Sequence, residues 1–340
     1  MRAMSKRVAI LGASGYTGLE LIRLLLRHPE VEITALGTRQ EENPHVSEVH
    51  PQLTGQLDLR LEPLTAEQLA ERADSVFCCL PHAASAEAVA QLMEHELDVV
   101  DLSADYRLRD KDVYEKWYGV THPDAGRLPS AVYGLPELYR NQIKASHLVA
   151  NPGCYPTSAI LALYPLLKAG LISPAGINID SKSGVSGGGR TPKPAFHYPE
   201  CNESLMAYGV GAHRHMPEID QMLTEAAGES VEVLFTPHLV PMDRGILSTC
   251  YATPVGDVDT EGLMACLRET YADEPFVDVV DKPPTTKHVA FTNRCHLTAR
   301  VVRGRALVIS VIDNLIKGAS GAAVQNFNLM QGYKETTALI

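Results

Sequence analysis

The amino-acid sequence predicts an α/β chain of two domains. The first is a doubly wound parallel sheet that binds a dinucleotide, and the second is an α+β domain on a mixed or antiparallel sheet. Three observations carry this. A short apolar strand runs directly into a glycine-rich turn and a helix-periodic segment between Val8 and Leu26. Short buried-type strands and helical segments then alternate as far as Ala150, the pattern of parallel sheets with crossover helices. Beyond that point longer strands dominate and the opening glycine signature does not recur.

Composition agrees. A chain of 340 residues, 45% hydrophobic and 21% charged, can bury the cores of two globular domains. The formal charge of −11 with no basic block argues against nucleic acid as a partner. No apolar run reaches the length of a membrane span, so no membrane partner is expected. Met1 to Ser5 reads as an extension ahead of the first strand, with no signal-peptide core. The seven cysteines are an odd number without zinc-ligand spacing, so reduced thiols, a cytoplasmic location and no metal site are expected.

In order, Val8 to Leu11 is a strand suited to burial on both faces. Gly12, Ala13, Ser14, Gly15, Tyr16, Thr17 and Gly18 follow, and Leu19, Ile22, Leu25 and Leu26 fall at helical spacing. Glycines in this turn let the backbone approach a pyrophosphate, whose charge the helix N-terminus favours. The spacing is GxxGxxG rather than GxGxxG, a variant of the Rossmann-type turn. The next strand, Val31 to Leu36, ends at Gly37, Thr38 and Arg39. An acid there would hold a ribose hydroxyl and select NAD. A hydroxyl and a guanidinium instead suit a 2′-phosphate, which predicts NADP(H). Ser75 to Leu80 is a strand ending at Pro81 and His82, Ser85 to Glu94 a helix, and Asp98 to Leu102 a strand. Arg107 is a candidate for a substrate anion, with a salt bridge to Asp105 or Asp110 as its alternative use. Tyr133 to Glu137 reads as a turn.

The stretch Asn151-Pro152-Gly153-Cys154-Tyr155-Pro156-Thr157 follows a strand, His147 to Ala150, and precedes an apolar helix, Thr157 to Lys168. A cysteine near the first turn of a helix has its thiolate favoured by backbone N–H groups and the helix dipole. Ile177 to Ser183 is a strand, and Gly184 to Arg190, with Ser186 and Gly187 inside it, reads as a mobile loop able to close over phosphate or nicotinamide. His213, Arg214 and His215 stand at the start of a helix running to about Ala227, and histidine is the natural proton carrier near neutral pH. Between strands Val231 to Leu239 and Ile246 to Thr253, Arg244 offers a planar fork for a carboxylate or phosphate. A helix, Thr260 to Tyr271, and strands Phe276 to Val280, Ala290 to Val302 and Ala306 to Asp313 follow. A last helix, Asn314 to about Leu329, with small residues from Gly318 to Gly321, returns to the first domain. The expected boundaries are 1–153 completed by 314–340, and 154–313.

GASGYTG, DLSADYRL, YGLPE, NPGCYPT, SGVSGGGR, GAHRHMPEI, RGIL and DNLIKGASGAAVQ, in this order along nearly the whole chain, resemble the N-acetyl-gamma-glutamyl-phosphate reductases of arginine biosynthesis. The wider superfamily includes aspartate-semialdehyde dehydrogenase and, more distantly, glyceraldehyde-3-phosphate dehydrogenase. The resemblance implies that Cys154 is a nucleophile and that His213, with His215 as a second candidate, is the catalytic histidine, in cationic form lowering the thiol's pKa. It implies that Gly12, Ser14, Gly15, Tyr16, Thr17, Gly18 and Pro81 bind NADP(H), with Thr38 and Arg39 at the 2′-phosphate and Ser186, Gly187, Asn314 and Lys317 toward the nicotinamide. Arg107, Asn151 and Arg244 are implied for the substrate, a small-molecule acyl phosphate. The implied assembly is a homodimer or homotetramer. The implied reaction passes through a thioester on Cys154. The alternative substrate is a related acyl phosphate of aminoadipyl or aspartyl type. A non-catalytic NADP-binding regulator would need neither Cys154 nor the histidines, and a cofactor-free cysteine hydrolase would not need the first domain.

Overall fold

A computed structural model describes residues 5–39 and 42–340; Met1 to Met4 of the leading extension lie outside them. The chain divides into two compact units, Met1–Pro152 with Ala319–Ile340, and Gly153–Gly318.

The first unit opens with β1 (Lys6–Leu11), α1 (Tyr16–Leu25) and β2 (Val31–Gly37). A single turn, α2 (Val46–Val49), leads to β3 (Leu61–Glu62), α3 (Ala66–Arg72), β4 (Ser75–Cys78), α4 (Ala86–Glu94) and β5 (Asp98–Asp101). It continues with α5 (Lys111–Tyr118), β6 (Val132–Tyr133), α6 (Pro136–Lys144) and β7 (Leu148–Ala150). The strands form a seven-stranded sheet ordered β3-β2-β1-β4-β5-β7-β6, and every strand pair in it is parallel. β4 and β7 are buried along their whole length, as a sheet covered on both faces requires. The strand order reverses between β1 and β4, so the turns following these two strands flank the switch point where ligands of such sheets bind.

The second unit opens with α7 (Cys154–Lys168), β8 (Asn178–Gly184), the single turn α8 (Tyr198–Cys201), β9 (Met206–Ala207) and α9 (Met216–Ala227). Then come β10 (Leu234–Val240), β11 (Ile246–Ala252), α10 (Thr260–Thr270), β12 (Val277–Val279), β13 (Cys295–Val302) and β14 (Arg305–Ile312). The strands build a second seven-stranded sheet, β12-β13-β14-β11-β8-β10-β9. It is mixed: β8 pairs parallel with β10 and antiparallel with β11, and β12 pairs parallel with β13. α7 packs on β11 and β14, and its buried Ser158 hydroxyl lies 2.9 Å from Ser248 Oγ and 3.0 Å from Ser310 Oγ. Pro165 inside this helix cannot donate to the carbonyl of Leu161, four residues back; the Tyr271 hydroxyl donates to that carbonyl at 2.7 Å instead.

After β14 the chain makes a π-helical turn, Ile316–Ser320, and ends in α11 (Gly321–Met330), which packs on α1 and α6 of the first unit. Four expectations are corrected. Residues 314–318 belong to the second unit, and the chain joins the first only at Ala319. The helix expected from Thr157 begins at Cys154 itself. Tyr133 to Glu137 is not one turn: β6 ends at Tyr133 and α6 begins at Pro136, where a fixed φ and a missing N–H fit a first helical turn. The strand expected from Ala290 starts at Cys295, because Phe291 has a φ of +63° that no strand tolerates.

Candidate active site

In the first unit the glycine turn between β1 and α1 is tight. Gly12 has a φ of +76°, and a Cβ there would run into the backbone oxygen of Cys79. At Gly18 a Cβ would lie 2.7 Å from the backbone oxygen of Ala13. Gly15 is the N-cap of α1, and no side chain caps that end. With Ser14 and Thr17 half-buried and Tyr16 exposed around it, this turn could receive an anion at the positive end of a helix. At the end of β2, Thr38 donates its N–H to Glu62 O at 2.9 Å, and Arg39 donates from Nη2 to Ala84 O at 2.9 Å.

The segment Pro81 to Ala86, which carries that Ala84 carbonyl, is held by a buried carboxylate. Asp105 Oδ1 accepts the N–H of Ala83 at 2.8 Å and the Tyr114 hydroxyl at 2.9 Å. Its Oδ2 accepts the N–H groups of Ser85 and Ala86 at 3.1 and 3.0 Å, so Asp105 closes the N-terminus of α4. Asp105 therefore does not pair with Arg107 here. Arg107 is buried and donates Nε to Asn151 O at 2.7 Å and Nη2 to Leu102 O at 2.8 Å. Asn151 is also buried; its Nδ2 donates to Ala319 O at 3.2 Å, and its Oδ1 accepts from Asn326 Nδ2 at 3.0 Å. Both residues brace the end of β7, from which the chain continues to Cys154.

In the second unit Cys154 is the first residue of α7, half-buried, with Gly153 as an N-cap and no side-chain cap. The Gly153 N–H is taken by Glu218 Oε1 at 2.9 Å. Glu218 is buried in the first turn of α9 and so ties the helix that follows the histidines to the cap of the cysteine helix. On the other side, a Cβ on Gly318 would lie 2.8 Å from Cys154 Cβ. Sequence reasoning missed Glu218 and read Gly318 only as a small residue that allows close packing. Their signals lay inside HRHMPEI and DNLIKGASG, but only the fold shows Glu218 on the Gly153 N–H and Gly318 against Cys154 Cβ.

His213 and His215 both precede α9. The His213 ring lies edge-on to Tyr155, Tyr208 and Phe235 at centroid distances of 5.5, 5.5 and 5.4 Å, and 4.8 Å from His215. Burial, reinforced by the Arg214 cation, pushes His213 down to about 4. Both causes oppose the cationic form expected of this histidine.

The other expected residues of this unit form a hydrogen-bonded knot. Ser186 Oγ donates to Asp243 O at 2.7 Å and accepts from Asn314 Nδ2 at 3.0 Å, while Asn314 Oδ1 accepts the Gly245 N–H at 2.7 Å. Gly187 abuts Ser183 Oγ, 3.0 Å from where a Cβ would stand. Lys317 is fully buried with its Nζ 5.7 Å from the centre of the Phe276 ring. Arg244 lies 4.6 Å over Phe291 and 3.6 Å from Asp313 Oδ2. The expected mobile loop is instead pinned in its first half: Val185 to Gly188 forms a 3-10 turn, with the N–H groups of Gly184, Val185 and Ser186 bound to Gly245 O, Met242 O and Asp243 O.

Residues 7–146 match the family model of the semialdehyde dehydrogenase NAD binding domain, and residues 154–314 that of the semialdehyde dehydrogenase dimerisation domain. N-acetyl-gamma-glutamyl-phosphate reductase of Rhodopirellula baltica is 52% identical with 100% of both chains covered. The protein of that name from Moorella thermoacetica is 50% identical over 98% of this chain and 97% of its own. The fold matches aspartate semialdehyde dehydrogenase II of Vibrio cholerae, solved with ASA, at a TM-score of 0.74 and 17% identity, covering 97% of this chain and 99% of that one. It also matches aspartate semialdehyde dehydrogenase of Candida albicans, solved with NADP, at 0.71 and 18%, covering 96% and 98%. The chain belongs to the N-acetyl-gamma-glutamyl-phosphate reductase family, within the semialdehyde dehydrogenases.

Proposed function

We infer that the chain catalyses the NADPH-dependent reductive dephosphorylation of N-acetyl-gamma-glutamyl phosphate to N-acetylglutamate semialdehyde, a step of arginine biosynthesis. The observation that carries this reading is identity at about half of all positions with relatives of that name along the entire chain. The first unit fits the cofactor. Side chains are excluded at Gly12 and Gly18 where the pyrophosphate would approach, the α1 N-terminus has no side-chain cap, and β2 ends in Thr38 and Arg39 rather than an acid. In this reading the backbone from Gly12 to Gly18, with Ser14, Gly15, Tyr16 and Thr17, holds the pyrophosphate, Thr38 and Arg39 hold the 2′-phosphate, and Pro81 shapes the adjoining loop. In the second unit, Ser186, Gly187, Asn314 and Lys317 are assigned to the nicotinamide end.

Bound NADPH supplies a hydride. The protein supplies the nucleophile: the Cys154 thiolate, favoured by the positive end of α7, attacks the acyl carbon, and phosphate leaves a thioester on the sulfur. Reduction of the thioester carbon then releases the aldehyde and regenerates the thiolate. Arg244 is the substrate-facing cation of this unit, exchanging its distant contact with Asp313 for a substrate anion. Arg107 and Asn151 serve by bracing the strand that leads to Cys154. Initial rates with N-acetylglutamyl phosphate test the reading: NADPH should be preferred over NADH, and Cys154→Ser should lower kcat by at least about a thousandfold. Faster turnover of aspartyl phosphate would move the assignment to the alternative substrate, and a serine variant of near-normal rate would end the thioester scheme.

A further inference from the structure

We propose that Asp105 is a positioning residue for coenzyme selection: by clamping the turn from Pro81 to Ala86 it holds the Ala84 carbonyl that orients Arg39 for the 2′-phosphate. This rests on the assignment of Thr38 and Arg39 to that phosphate made above. Arg39 is exposed just beyond the end of β2. A long exposed side chain samples many rotamers, and binding a phosphate must freeze them. Here Nη2 already donates to Ala84 O at 2.9 Å. The bond spends one of the five N–H donors of the guanidinium and restrains the fork before any ligand arrives. Its value depends on Ala84 O staying in place.

The turn that carries this carbonyl is not one its own sequence favours. The Ala84 N–H donates to Pro81 O at 3.2 Å, and Ala83 has a φ of +64°. That left-handed value costs any residue with a Cβ and suits glycine, yet no glycine stands between Pro81 and Ala86. The turn is held from outside, by the segment that follows β5. Asp105 Oδ1 accepts the N–H of Ala83, the strained residue itself, at 2.8 Å. Next to it, the Ala104 N–H donates to His82 Nδ1 at 3.0 Å. The clamp is itself fixed: Asp105 is fully buried, gives its N–H to Ser103 Oγ at 3.1 Å, and receives His122 Nε2 on its carbonyl at 2.8 Å.

Capping α4 would not by itself need an aspartate. Oδ2 alone serves the N–H groups of Ser85 and Ala86, and asparagine or serine caps a helix about as well. Only a carboxylate presents a second acceptor toward Ala83. Asp105→Asn therefore separates the two tasks. With its amide oxygen on Ser85 and Ala86 the cap survives, and the amide nitrogen is left facing the Ala83 N–H.

Titration calorimetry of the full chain with adenosine 2′,5′-bisphosphate and with 5′-AMP tests this without turnover, since the ratio of the two affinities reads the 2′-phosphate. The wild type should prefer the bisphosphate, and Arg39→Ala should lose most of that preference. Asp105→Asn should lower the ratio at least about fivefold, roughly 1 kcal/mol and the size of ordering one long side chain, with 5′-AMP affinity changed by less than about twofold. Ala83→Val opposes the same left-handed turn without touching Asp105 or the cap of α4, and should lower the ratio likewise. In turnover, the KM for NADPH should rise in both variants while that for NADH stays. A purely structural Asp105 would weaken both nucleotides together or neither, so a wild-type ratio in either variant overturns the proposal. Failure of the underlying assignment shows separately, as a wild type without preference or a preference that survives Arg39→Ala, and it takes the proposal with it.

Discussion

Gly318 shows how closely the residues around Cys154 are packed. The π-helical turn brings its Cα so near that a methyl group would lie 2.8 Å from Cys154 Cβ, 3.2 Å from its Cα and 3.3 Å from Ile312 Cδ1. None of these neighbours can swing away, since two belong to the first residue of α7 and the third to a buried strand. Gly318→Ala should therefore cost about 1–3 kcal/mol of stability, as overpacking does, and shift Cys154 at the start of α7. The expected sign is a fold that survives, with alkylation of Cys154 by iodoacetamide slowed, since a displaced thiolate loses part of its stabilisation by the N-terminus of α7. Peptide mapping of the labelled cysteine checks it; alkylation at the wild-type rate would mean that the glycine serves only the turn. The cysteine was legible in the sequence because glycine and prolines clustered around it between a strand and a helix. Gly318 was legible only as a small residue, because its partner is 164 positions earlier in the chain, 318 minus 154.

At the scale of elements, α4 and the ends of β4 and β5 depend on two buried aspartates that should answer the same substitution oppositely. Asp101 accepts the Ser85 hydroxyl on Oδ1 at 2.7 Å, the Ser103 N–H on the same oxygen at 3.0 Å, and the Ser103 hydroxyl on Oδ2 at 2.7 Å. An asparagine can keep all three contacts, because the Ser103 hydroxyl can turn and accept from the amide. Burial pushes Asp101 up to about 6. A carboxyl raised in the folded state stabilises the fold below its unfolded value of about 4, and that contribution is lost as pH rises through about 6. Asp101→Asn should remove this loss, so its melting temperature relative to wild type should rise between about pH 4 and 7. Asp105 differs in that both its oxygens face backbone N–H groups. An amide nitrogen there would oppose donors, and Asp105→Asn should lose about 1–3 kcal/mol at pH 7. Thermal melts of the two variants across pH decide it; parallel losses would contradict the assignment of donors. The long strands and helices of this unit were readable from their apolar periods. Short pieces such as β3 and β6, two residues each, were not, because they exist only as ladder partners of longer strands.

For the whole molecule, sequence patterning foretold the class of each sheet, since continuous apolar runs mark strands covered on both faces and alternating ones mark a half-covered sheet. It did not foretell how the knot of Ser186, Asn314 and Gly245 fixes a glycine-rich segment, because such knots are made by long-range hydrogen bonds. Among the described residues no helix is long and apolar enough to cross a membrane. The alternation in the second sheet also points to assembly. On β11 and β14, Ser248, Cys250, Ala306 and Val308 are buried toward the helices, whereas Leu247, Thr249, Leu307 and Ile309 on the opposite face are only half-buried and Tyr251 is exposed. Thr249 faces Ile309 and Tyr251 faces Leu307 across the antiparallel ladder, so these side chains form one continuous apolar strip. This unit matches the family model of a dimerisation domain, so whether a second copy of the chain covers this strip can be tested directly. The double variant Leu247→Glu with Ile309→Glu should place two carboxylates in that strip without touching the buried face. We expect at least about 2 kcal/mol of lost association, roughly a thirtyfold weaker dimer, seen by light scattering as a fall from dimer toward monomer mass with circular dichroism unchanged. If the double variant keeps the wild-type mass at low micromolar concentration, this face does not hold the copies together.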